Sequence, residues 1–211
     1  MMDLYSPTPL EQWIENLYRE HNLTNPHELN IQALASKLNI WFYFLEFGSQ
    51  AIERNGMYSI CIDSRLSPAE QWEEFLHELC HVLRHSGNQI HMPADYMQMQ
   101  ETEANNFVLY AAIPYFMVKE LKLPDVQNEA IDFLSDTFGV THLLAHRRLE
   151  QIQRRLLQGT FDHEVKRHHE RQYRKYSSDT WSDETKCIMD KLYQQLQSKG
   201  SKINGSNEGL L

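Results

Sequence analysis

Residues 67–85 read SPAEQWEEFLHELCHVLRH, and the rest of the chain is interpreted outward from them. Ser67 is a helix N-cap residue, Pro68 suits the first helical position, and Glu70, three places after the cap, completes a capping box. Helical spacing then runs to a stop expected at Gly87. Trp72, Phe75, Leu76, Leu79 and Leu83 form one apolar stripe, and at about 100° per residue His77 and His81 fall on the opposite side. Side chains four apart stand one above the other on a helix, so both imidazoles can reach a single metal ion while Glu78 projects beside them. Zinc suits such ligands, and a catalytic zinc site keeps one position open for water. Glu78 would be the base that takes a proton from that water. The same string is also compatible with a plain amphipathic helix carrying two surface histidines.

A third ligand distinguishes the two. Downstream, YMQMQETEANNFVLYAAIP (96–114) has helix spacing up to Pro114, with Met97, Ala104, Val108 and Ala111 on one stripe. Glu101 lies about 40° from Met97, inside that stripe, whereas Glu103 lies about 120° away. A carboxylate on a buried stripe is costly unless it is paired or bound to metal, so Glu101 is the better ligand, with a core salt bridge as the alternative. Asn105, one turn on, is placed to orient a ligating histidine. His85, His91, Tyr96 and Tyr115 are all candidates for stabilising an oxyanion, and the sequence does not choose among them.

Upstream, Pro9–His21 and Asn30–Leu38 have helix spacing. Ile40–Phe47 (IWFYFLEF) and Met57–Asp63 (MYSICID) are aromatic and β-branched runs that predict two strands of a small antiparallel sheet, the second offering an edge to an extended peptide. Helix, strand, then many helices without βαβ alternation makes the fold class α+β, mainly helical. Residues 126–157 form a helix-turn-helix-like pair joined at Phe138-Gly139-Val140, with Thr141 as N-cap and Arg147, Arg148, Arg154 and Arg155 following. The domain boundary is expected near 158. Residues 159–211 are a polar extension with one short helix over Asp183–Gln197 and a disordered end from Ser198.

The net charge is −9, unevenly spread. Residues 1–140 carry 7 basic and 20 acidic side chains, and residues 141–176 carry 9 and 4. An acidic body repels nucleic acid, which confines any DNA contact to the basic segment; the alternative there is a solvated helix face. No run approaches the roughly 18 apolar residues of a membrane span, so no membrane contact is expected. Three cysteines without a C-x-x-C pair fit a reducing compartment, and the cytoplasm is the expected location.

HELCHVLRH followed by ETEANNFVLYAAIP resembles the ImmA/IrrE metallopeptidases, whose pattern is HExxH followed by a helix of the form ExxAN. ALASKLNIWFYF, NGMYSICID and DTFGVTHLLAHRRL extend the resemblance over about residues 29–157. It implies a zincin-like fold, one Zn²⁺ on His77, His81 and Glu101, and Glu78 as general base. Cys80 stands where members often have glycine, a thiol open to oxidation if it lies beside the metal. Residues 158–211 carry no resemblance. Short members of this kind belong to prophages and integrative elements, which implies a protein substrate: a helix-turn-helix transcriptional repressor. The alternative function is a non-hydrolytic anti-repressor or a DNA-binding regulatory module.

Overall fold

The computed structural model describes residues 4–54, 56–85, 93–175 and 181–198. The expected stop at Gly87, His91 and the tail beyond Ser198 lie outside these. The chain divides into two compact units, 1–158 and 159–211.

In the first unit, α1 (Pro9–Glu20) starts on a Thr8 capping box closed by Glu11, with Pro9 in the first turn. Its buried Tyr18 donates a hydrogen bond to the Ala111 carbonyl, 2.9 Å. α2 (Ile31–Leu38) ends at Asn39, whose left-handed φ of 55° turns the chain into β1 (Trp41–Leu45). β2 (Gln50–Arg54) and β3 (Met57–Asp63) follow, then α3 (Pro68–Arg84), α4 (Ala94–Ala112), the short α5 (Tyr115–Val118), α6 (Gln127–Phe138) and α7 (His142–Lys175). Thr141 caps α7 through Leu144 N–H, as its sequence position predicts. α7 continues to Lys175, past the division at 158. In the second unit, α8 (Asp183–Ser198) forms the expected short helix.

The fold is α+β and mainly helical, with a correction to its sheet. Among the described residues the sheet has three strands in the order β1-β3-β2; β1 runs parallel to β3, and β2 antiparallel to it. The sheet is therefore mixed, and the 57–63 strand is its centre. With both sides paired it has no free edge to offer, so β1 and β2 are the edges. Arg54 pairs with Met57, and Gly56 just before Met57 has φ 76°, the left-handed backbone that glycine adopts at least cost. Ile60 and Ile62 of β3 are fully buried against the helical core, alongside Phe75, Leu76 and Leu79 of α3 and Phe107 and Ala111 of α4.

One charged group also sits in that core. Arg148 of α7 has no exposed surface. Its Nε donates to the Ile113 carbonyl (3.0 Å), one terminal nitrogen to Glu11 (2.8 Å) and the other to Gln151 (2.6 Å). Arg155 also pairs with Glu11 and donates to the Tyr110 hydroxyl, 2.9 Å. The expected basic face of the helix pair is accordingly reduced: Arg148 and Arg155 turn inward to tie α1 to α7, and Arg154 pairs with Glu150.

Candidate metal centre

α3 positions the candidate residues by burying its other side. Trp72, Phe75, Leu76, Leu79 and Cys80 face the core, leaving His77, Glu78, His81 and His85 half-buried on the far side. α4 packs against α3 and brings Glu101 across to them. Its carboxylate lies 3.2 Å from His77 Nε2 and 3.5 Å from His81 Nε2, and the two Nε2 atoms are 3.2 Å apart. One ligand atom from each of the three falls within 4.8 Å of the others, a grouping found once among the described residues. Two imidazole nitrogens and a carboxylate converging in this way form a donor set that fits zinc. Burial lowers the His81 pKa, helped by His77 and His85 and opposed by Glu101. The shift favours the neutral imidazole, the form that can ligate.

Glu78 stands beside this group. The Ala51 N–H, on the β2 edge, donates to its carboxylate at 2.6 Å. Burial raises the Glu78 pKa, with His77 and the Ala51 N–H pulling it down and Glu74 and Glu101 adding to the rise. A carboxylate of raised pKa is better matched to accepting and returning a proton near neutrality.

Several expectations about the surroundings change. Glu101 faces the histidines although its side chain is 42% exposed, so its selection rests on orientation and not on a buried stripe. Asn105 does not orient a ligand; its amide donates to the Glu101 carbonyl one turn back, 2.8 Å. Glu103, set aside on angle, joins the outer part of the site. It pairs with Arg84 at 2.5 Å and lies 3.5 Å from His85 Nε2, while His85 Nδ1 lies 2.8 Å from His81 Nδ1. The i, i+4 spacing of His81 and His85 was the available signal for this contact, but nothing in the sequence located its partner across the helix pair. Cys80 points into the core with its pKa pushed up by burial to about 12, an unreactive thiol. Of the oxyanion candidates, Tyr115 stacks on Tyr5 at 3.6 Å in the Glu11 cluster, and Tyr96 is largely exposed.

The family model Peptidase_M78, described as the IrrE N-terminal-like domain, matches residues 35–150. The chain belongs to that family. This M78 chain is 38% identical over 146 residues to the phage-like element PBSX protein XkdA of Bacillus subtilis (strain 168), covering 69% of this chain and 74% of the relative. It is 37% identical to the uncharacterized protein YqaB of the same organism, covering 76% of this chain and 94% of the relative. A solved structure, a Mycobacterium tuberculosis transcriptional regulator, aligns with a TM-score of 0.47 at 15% identity. That alignment covers 65% of the M78 chain but spans only 45% of the regulator. Family membership makes this a metallopeptidase-type chain, and one of its relatives is a protein of a phage-like element. No helix among the described residues is long and apolar enough to cross a membrane.

Proposed function

We propose that this chain is a zinc-dependent endopeptidase of a prophage or mobile element, acting in the cytoplasm on a regulatory protein, specifically a helix-turn-helix transcriptional repressor. The observation that carries the reading is the convergence of His77, His81 and Glu101 with Glu78 alongside. Family membership and the phage-element relative support the class and the setting.

His77, His81 and Glu101 would hold one Zn²⁺, which when bound supplies Lewis-acid polarisation of a scissile carbonyl and makes water easier to deprotonate. Glu78 takes the proton from the attacking water and returns it to the departing amine, and its desolvated setting favours that exchange. The Ala51 N–H fixes the carboxylate's position through one of its oxygens. Because β2 is an edge strand passing Glu78, it takes over the role expected of the 57–63 strand: an extended substrate segment can pair along it and lie across the site.

Co-expression with helix-turn-helix repressors of the same element, followed by fragment mapping, tests this directly. Discrete fragments are expected with the parent chain and none with Glu78→Gln, a change that costs about 10²–10⁴ in rate when it removes a general base. If Glu78→Gln relieved repression fully at equal protein levels, with the repressor intact, hydrolysis would be unnecessary and the non-hydrolytic anti-repressor would replace this reading.

A further inference from the structure

We infer that His85 and Glu103 are positioning residues, a relay that fixes the ring of His81 from behind. The inference rests on the reading that His81 holds metal. His81 has its Nε2 toward His77 and Glu101, and its Nδ1 faces His85 Nδ1 at 2.8 Å. Only one assignment of protons serves both sides. An Nε2 that offers its lone pair to a metal requires the proton on Nδ1, and that N–H donates to the bare Nδ1 of His85. His85 must then carry its own proton on Nε2, which is buried and without a hydrogen bond among the described residues, with Glu103 Oε2 3.5 Å away. The separation is slightly long for a hydrogen bond, and a small rotation of the Glu103 carboxylate closes it. Arg84 holds the other carboxylate oxygen at 2.5 Å and keeps Glu103 ionised at this position; burial works against ionisation, and the pKa is nevertheless lowered by Arg84 and His85.

The arrangement does for His81 what a carboxylate does for a ligating histidine elsewhere: it selects the tautomer, stops the ring from turning, and raises its basicity. An intervening imidazole lengthens the connection by one ring. His77 has no comparable contact at Nδ1 among the described residues. The two histidines of the motif therefore differ, and the second is held the more firmly.

The test is zinc affinity, measured by chelator competition on the full chain, with no peptide substrate involved. His85→Phe keeps an aromatic ring but has no acceptor nitrogen, and it should weaken zinc binding about ten- to a hundredfold. Glu103→Gln keeps the shape and removes the charge; a several-fold loss is expected, and none further when it is added to His85→Phe. In the zinc-loaded parent, the His81 Nδ1–H should give a slowly exchanging nitrogen-bound proton signal that disappears in His85→Phe, a change that loss of packing alone does not produce. Zinc binding within twofold of the parent in His85→Phe and Glu103→Gln overturns the relay while leaving the zinc site intact. A parent chain that binds no zinc overturns both.

Discussion

Two clusters of ionisable side chains hold the first unit together and define its chemistry, and they differ in how their polar atoms are matched. Around Glu11, donors surround an acceptor. The carboxylate accepts from the Tyr5 hydroxyl, the Thr8 N–H, Arg148 and Arg155, while Tyr110 and Gln151 take up remaining guanidinium hydrogens. Around His77, two imidazole nitrogens and a carboxylate point at one another, and all three offer lone pairs when the imidazole protons sit on Nδ1. A closed network of this kind is an internal tie between helices, whereas convergent acceptors without donors call for a cation. The difference separates a structural cluster from a candidate functional one without reference to any relative.

The strongest way to break that comparison is to remove one residue from each. Glu11→Ala leaves Arg148 without its carboxylate in a position of zero exposure, a change that costs on the order of 3–5 kcal/mol. Denaturant unfolding should show a loss of that size, with the folded fraction still taking up one zinc per chain. His77→Ala should do the reverse. Removing one of three mutually unmatched groups leaves the metal-free protein as stable as the parent or more so, while zinc content by metal analysis falls to background. If His77→Ala destabilised the metal-free protein as much as Glu11→Ala, the site would be a structural cluster and the distinction would collapse.

Acid titration sharpens the same contrast with a smaller effect. Burial opposes ionisation of Glu11, but Arg148, the Tyr5 hydroxyl and the Thr8 N–H outweigh it and hold its pKa below the ordinary value. A lowered folded pKa means that the stabilisation is complete above the ordinary carboxylate range and is lost as pH falls through the lowered value. Glu78 has the opposite sign. Its raised pKa means that ionisation costs the fold, so the metal-free protein loses stability as pH rises from the ordinary carboxylate value through the raised one. Unfolding free energies of metal-free parent and Glu78→Gln chains should therefore converge at low pH and separate above it, the variant being the more stable. Parallel curves would show that Glu78 is not desolvated.

These two clusters also show what a sequence can disclose. His77, Glu78 and His81 were legible because a helix converts a spacing of four into a shared face, and the Ser67 capping box fixed the helix. Glu101 was selected by an angular argument from a buried stripe, whereas the structure brings it to the two histidines by its orientation, with its side chain 42% exposed. β2 was missed because QAIER lacks alternation: as an exposed edge strand with one half-buried position, it has little hydrophobic pattern to display. That omission is what turned the central strand into a supposed edge. The Glu11–Arg148 pair spans 137 residues, and no local period connects groups so far apart; from sequence, Arg148 looked like part of a basic surface.

Truncation after Gln158 carries the smallest expected effect and tests where the first unit ends. On α7, Ile152 is the last fully buried residue, Arg155 the last to reach Glu11, and Leu156 the last apolar side chain packed on the core. All three precede the cut, so the shortened chain keeps both clusters. Its new helix terminus lies three residues beyond Arg155, and fraying of that last turn should weaken the Arg155 contact slightly, leaving the loss within the roughly 0.5 kcal/mol typical of surface changes. Cooperative melting and zinc content should be close to those of the full chain. A cut after Leu149 removes Ile152, Arg155 and Leu156 together and should abolish folding. An insoluble chain from the cut after Gln158 would mean that residues beyond 158 complete the core, and the Glu11 cluster would no longer be the feature that closes the fold.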